Sequence, residues 1–170
     1  MIEYPNGTVQ LYKPAGNETP IEKIGNWGQK LVTRSPYVHG SLYLANYTHE
    51  FTNGGYNKTP GCRKADAYLI PRDPLTAQDV EDGLDWINKV KRRPYNYPVY
   101  LSMLIVYPTK EIWRALGWIP FSNKYVWGYE CYWFIDDFYR HGLGRDLFPD
   151  DPETYTISLD FFDTPKLLVA

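Results

Sequence analysis

Apolar and polar positions along this chain change period several times, and each change marks an element. From Val38 to Leu44 the period is two. Val38, Gly40, Leu42 and Leu44 fall on one side of an extended chain, and His39, Ser41 and Tyr43 on the other. This predicts a strand. A tight connection at Ala45-Asn46 leads into Tyr47 to Thr52, whose alternation separates His49 from Glu50, so the two runs predict an antiparallel hairpin. Asn53 to Arg63 reads as a loop, and "ADAYLIP" as a third strand stopped by Pro71.

Helical spacing fills much of the rest. Thr19-Pro20-Ile21-Glu22 opens a helix expected over 20–33, with Thr19 at the N-cap, Pro20 at the first helical position and Glu22 three residues after the cap. Ile21, Ile24, Trp27, Gln29 and Leu31 follow, although Gly25 and Gly28 weaken it. "DPLTAQDVEDGLDWINKVKRR" is the clearest helix: Thr76 caps it, acids lead, basic residues close, and Leu75, Val80, Leu84, Ile87 and Val90 share a stripe. Pro94-Tyr95-Asn96-Tyr97-Pro98 breaks it. Val99 to Tyr107 fits a helix or a buried strand, because a continuous apolar run has no diagnostic period, and a short helix is expected from Thr109 to Trp118. "YECYWFIDDFYRHG" predicts a helix over 129–141 with Cys131 in its first turn and Gly142 past its end. In "SLDFFD", Ser158 would cap a short last helix that ends before Pro165.

Turn residues punctuate the start of the chain. Pro5, Gly7, Pro14, Gly16 and Pro20 make residues 1–19 an N-terminal arm in which "TVQLY" can form a short strand. Residues 20–170 are expected as a single α+β domain, a small antiparallel sheet packed against helices.

Composition changes this picture little. A chain of 170 residues with 44% hydrophobic and 22% charged positions suits one core that needs neither disulfides nor a structural metal. Net charge of -2 and a longest basic run, Lys89 to Arg93, broken by Val90 argue against nucleic acid as a partner. Val99 to Val106 is far shorter than the roughly 20 apolar residues of a membrane-crossing helix. The start "MIEYPNGTVQ" lacks the layout of a secretory signal, so the expected location is cytoplasmic at synthesis, with Cys62 and Cys131 as free thiols. Aromatic residues make up 17%, with 16 Tyr and 6 Trp, which fits a core filled by rings better than a carbohydrate-binding surface.

Three residue types suggest chemistry. The thiolate is the reactive form of cysteine, and a helix start favours it, which draws attention to Cys131. A nucleophilic cysteine needs a base within reach, and the base needs an orienting group. With the hairpin turn at Ala45-Asn46, residues 41 and 50 lie opposite each other and His39 becomes a diagonal neighbour of Glu50, while His49 points the other way. A metal site is the competing use of Cys and His, but no Cys-x-x-Cys or His-x-x-x-His spacing occurs. Phosphate-binding glycine loops and the Gly-x-Ser-x-Gly elbow are also missing from the sequence.

With these residues in view, the sequence resembles the circularly permuted branch of the NlpC-type papain-like cysteine hydrolases, in which the histidine strand precedes the cysteine helix. "TRSPYVHGSLYL" is similar to the family's histidine strand, "THEF" supplies the following acid, and "RRPYNY" is similar to a Pro-Tyr-Asp-like element. "YECYWFIDDFYRHGLG" is similar to the cysteine helix, and "SLDFFD" to the short closing helix, so the likeness runs from about residue 20 to 163. The resemblance implies a permuted papain-like fold with the catalytic cysteine at a helix N-terminus. It implies Cys131 as nucleophile, His39 as general base and then acid, Glu50 as the orienting group, and Tyr95 or Tyr97 beside the oxyanion region. It also implies no cofactor. A Ser commonly follows the family's cysteine, and here the residue is Tyr132.

The activity implied is amide cleavage in cell-wall peptides through an acyl-enzyme. Two alternatives stay open. One is a thioesterase or acyltransferase of the same fold acting on an acyl substrate. The other is a non-catalytic structural or binding module assembled into a larger, for instance viral, particle. Action at the cell wall or association with a virion would accompany these readings.

Overall fold

In a computed structural model, which describes residues 4–16, 20–95, 129–148 and 160–170 together with positions 109, 112 and 115, the alternating runs pair into one sheet. The strands are β1 (Thr8–Tyr12), β2 (His39–Leu44), β3 (Tyr47–Thr52), β4 (Gly55–Pro60), β5 (Ala67–Pro71) and β6 (Leu167–Val169). Their order is β4-β3-β2-β1-β5-β6, and every pairing is antiparallel. The β2–β3 hairpin pairs Leu42 with His49, Tyr43 with Thr48 and Leu44 with Tyr47. Its two turn residues, Ala45 and Asn46, both have positive φ, as a two-residue hairpin turn of this twist requires. Asn46 suits that conformation. Ala45 does not, and its N–H is held by Asn6 Oδ1 at 2.7 Å.

Three parts of the sheet differ from the sequence expectation. The turn-rich arm contributes β1, which lies between β2 and β5 with Thr8 to Leu11 fully buried, so it belongs to the domain's centre. The expected loop at Asn53 to Arg63 contains β4, an edge strand of sequence "GYNKTP". It pairs through its backbone along the whole of β3 and has no apolar face to reveal it. The last three-residue strand, β6, was hidden by its length and pairs with β5.

The described helices follow their patterns closely. Helix α1 spans Pro20–Thr33, and α2 spans Ala77–Val90. Thr76 Oγ1 accepts the Asp79 N–H at 3.1 Å while the Thr76 N–H donates to Asp79 Oδ2 at 2.7 Å, a reciprocal cap. Helix α3 covers Cys131–Asp137 and runs directly into a π-helical turn over Phe138–Gly142. A single short turn, α4, covers Asp160–Asp163. Of the stripe expected on α1, Gln29 is buried, whereas Trp27 and Leu31 are 66% and 64% exposed. Thr19, the run Val99 to Tyr107, most of Thr109 to Trp118, and Ser158 lie outside the described residues.

The two faces of the sheet carry different chemistry. One face presents Val9, Leu11, Leu42, Leu44, Phe51 and Leu69 to α3, whose Tyr132, Phe134 and Ile135 are fully buried. Several aromatic rings meet here: Phe51 and Phe134 lie 5.1 Å apart between ring centroids, and Trp86 and Phe134 5.8 Å. The opposite face is polar and also buried. Gln10 Oε1 accepts from Ser41 Oγ at 3.1 Å and from Thr48 Oγ1 at 3.0 Å, and Gln10 Nε2 donates to the Arg63 carbonyl at 2.7 Å. These buried polar atoms are matched by protein partners.

Helix and sheet approach most closely at Gly40. A Cβ on that residue would stand 2.9 Å from Ile135 Cδ1 and 2.9 Å from the Tyr132 ring. Replacing Gly40 by Ala should therefore cost about 1–3 kcal/mol through overpacking, read from urea unfolding; an unchanged midpoint would contradict the close approach. Thr76→Ala, remote from this contact, should cost about 1 kcal/mol by loss of the α2 cap.

Candidate active site

The hairpin register decides where His39 points. Continuing the observed pairing sets Ser41 opposite Glu50, so His39, the first residue of β2, reaches Glu50 on the diagonal. Its Nε2 lies 2.8 Å from Glu50 Oε2, with the His39 side chain 27% exposed and that of Glu50 3%. The second oxygen, Oε1, accepts Arg63 Nη1 at 2.7 Å and Asn57 Nδ2 at 3.0 Å, Asn57 being Glu50's partner across β4. Burial by itself would raise the Glu50 pKa. The hydrogen bond and charge of His39, followed by Asn57 and Arg63, outweigh it and hold the carboxyl below its ordinary value. With Nε2 committed to Glu50, Nδ1 is the ring nitrogen left for other chemistry. The Tyr12 ring flanks the imidazole at 5.7 Å between centroids.

His49 is occupied elsewhere. Its Nδ1 lies 2.6 Å from Tyr56 Oη and its Nε2 3.1 Å from the Leu44 carbonyl. Burial pushes its pKa down to about 4, so it stays neutral at physiological pH. The third histidine, His141, stands at the far end of the cysteine helix beside Asp137.

Cys131 is the first residue of α3, which starts two residues later than the 129–141 span expected from the sequence, and is 3% exposed. The residue before it, Glu130, caps the helix. Oε1 of Glu130 accepts the Trp133 N–H at 2.6 Å, and Oε2 accepts the Cys131 thiol at 3.3 Å. Glu130 is fully buried, and desolvation raises its pKa to about 7 against the pull of the N–H groups of Trp133 and Tyr132. The expected activation of the thiol by the helix start is reversed. Burial, then the charge of Glu130, push the Cys131 pKa well above its ordinary value, and the nearby N–H groups of Gly40 and Tyr132 only partly offset them.

The candidate residues thus come together in part. His39 and Glu50 form a direct pair, and Cys131 meets the same strand at Gly40, the residue next to His39. No hydrogen bond joins Cys131 to His39, and α3 packs on the face of β2 opposite the His39 side chain. Tyr95 forms a parallel bridge with Tyr129, and the Tyr129 N–H donates to the Pro94 carbonyl at 3.1 Å, which runs "RRPY" alongside the approach to Cys131. Tyr97 lies outside the described residues. Sequence reasoning missed Arg63, Asn57 and Glu130. The first two sit in or after a strand with no apolar period, and Glu is not a usual N-cap residue.

The depressed Glu50 pKa has a sign that can be tested. A carboxyl lowered on folding contributes stability that is complete above its ordinary value of 4.5 and is lost as pH falls through the folded value. Glu50→Gln should lower stability at pH 7 and flatten the fall in urea-unfolding free energy on the acid side; an acid limb as steep as that of the unaltered protein would contradict the ion pair.

Neither a protein-family model nor a curated protein matches the chain. Among solved structures, it is similar to the crystal structure of metalloprotein yiiX from Escherichia coli O157:H7. The TM-score is 0.67 at 11% sequence identity, over 99% of this chain and 97% of that one. At that identity the likeness is one of fold, a mixed α/β architecture shared over nearly the full length of both chains.

Proposed function

We propose that the chain is a cysteine hydrolase of circularly permuted papain-like architecture that cleaves an amide bond, with cell-wall peptides as the substrate class. The observation that supports it best is the placement of His39. Its Nε2 is fixed by Glu50 at 2.8 Å, and the strand residue beside it touches Cys131 at the start of the opposing helix. Order along the chain, element type and an oriented imidazole all agree with the resemblance of the sequence to the permuted NlpC-type family.

The roles follow from the atoms. Cys131 Sγ attacks the scissile carbonyl carbon, the carbonyl pair moves onto oxygen, and the thiol proton is assigned to His39 Nδ1, a transfer that requires the imidazole to leave the opposite face of β2 and swing towards the sulfur. Glu50, held by Arg63 and Asn57, keeps the ring oriented through Nε2 and stabilises the imidazolium. Collapse expels the amine, which takes its proton from His39, and water then releases the acyl group from sulfur. Tyr95, beside the lead into α3, is the described candidate for shaping the oxyanion region. The fold neighbour is described as a metalloprotein. Among the described residues no three His, Cys, Asp or Glu side chains gather so as to hold a metal ion, so no step here passes through one.

A second reading has its own support. The burial of Cys131, its raised pKa and its lack of a hydrogen bond to His39 suit a non-catalytic module in which the fold persists and the site is idle. Incubation of the purified protein with peptidoglycan fragments and with acyl thioesters, followed by mass spectrometry of Cys131, separates the two. Turnover with an acyl adduct on Cys131 is expected, and His39→Ala should lower the rate by about 10²-fold or more. Absence of both turnover and adduct with either substrate class would sink the enzyme reading, and turnover of the thioester alone would move the substrate to acyl groups.

A further inference from the structure

We propose that Glu130 is a positioning residue of this site: its buried carboxylate holds the proton of Cys131, so that the resting site carries a neutral thiol and not a thiolate paired with a charged His39. The inference rests on the hydrolase reading for its purpose, although the contact it concerns stands by itself.

The geometry leaves the carboxylate little freedom. Oε1 of Glu130 is fixed by the Trp133 N–H at 2.6 Å, which aims Oε2 at the Cys131 sulfur 3.3 Å away, and both residues are almost fully buried. A negative charge at that distance, screened from water, disfavours a second negative charge on sulfur. The groups that favour the thiolate are the neutral N–H groups of Gly40 from β2 and Tyr132 from the helix itself. Above about pH 7 the Cys131 Sγ and Glu130 Oε2 atoms together carry one proton and one negative charge. The proton sits on sulfur, which donates it to Glu130 Oε2 at 3.3 Å, and burial raises the thiol well above its ordinary value. His39, bound to Glu50, has no hydrogen bond to the sulfur that would compete for this proton at rest.

The test uses a Cys62→Ser background, so that Cys131 is the sole thiol, and iodoacetamide as the probe. Glu130→Gln keeps an oxygen for the Trp133 N–H and removes the charge beside the sulfur. The midpoint of the alkylation rate against pH should fall by about one unit or more, and the rate at pH 7 should rise about tenfold. A profile that stays in place overturns the proposal. Should that variant fail to fold, the S–H stretch of Cys131 in the Glu130-containing protein serves, assigned by its loss in Cys131→Ala. It should lie at the low frequency of a thiol bonded to a carboxylate at pH 8 and move up at pH 5 as Glu130 takes a proton; a stationary band overturns the proposal. The two readings fail separately. An acyl adduct with an unmoved profile removes Glu130's role alone, whereas a shifted profile with no adduct removes the hydrolase and leaves the thiol held by Glu130.

Discussion

The missing side chain at Gly40 is the constraint on which the rest of the site depends. Any Cβ there would meet Tyr132 and Ile135 at 2.9 Å and push α3 off the sheet. Without one, the helix settles against β2 and brings its first residue, Cys131, to the backbone of that strand. The same contact seals the apolar core, in which Leu42 and Leu44 of β2 meet the aromatic side of α3. Packing and site geometry are therefore one feature, and a change that relieves the contact would loosen both.

Two buried carboxylates flank this contact and behave in opposite ways. Glu50 is surrounded by donors that carry charge or can acquire it, Arg63 and His39, with Asn57 completing the set. It is held ionised. Glu130 is surrounded by neutral donors, the N–H groups of the helix start and one thiol, and burial raises it. Their environments differ accordingly: one carboxylate bonds the His39 imidazole, and the other accepts the Cys131 thiol. The polar face of the sheet makes the first role sustainable. Gln10, Ser41 and Thr48 are fully buried there with their partners in place, so the strands carrying His39 and Glu50 are fixed from below.

Much of this was legible in the sequence where a period of two or 3.6 met clear punctuation. The alternation of "VHGSLYL" and the turn at Ala45-Asn46 sufficed to place His39 diagonal to Glu50, and the cap at Thr76 marked α2 to the residue. What escaped had no period to read. β4 is an edge strand held by backbone bonds, and Trp27 and Leu31 of α1 face outward despite helical spacing; the strand at "TVQLY" was expected, but its place between β2 and β5 was not. The ionisation of Cys131 escaped for a different reason. Helix position is local and visible in sequence, whereas burial is a property of the whole fold and outweighs it.

The perturbed groups also shape how the fold responds to acid. His49, lowered from 6.5 to about 4, contributes stability that is complete above pH 6.5 and is lost as pH falls towards 4. Glu130, raised from 4.5 to about 7, does the reverse: its contribution is complete below pH 4.5 and is lost as pH rises towards 7. The two windows nearly coincide and their slopes have opposite sign, so across that interval they largely cancel. Glu50, held below its ordinary value because its bonds to His39, Asn57 and Arg63 outweigh burial, adds a contribution that is lost as pH falls below 4.5.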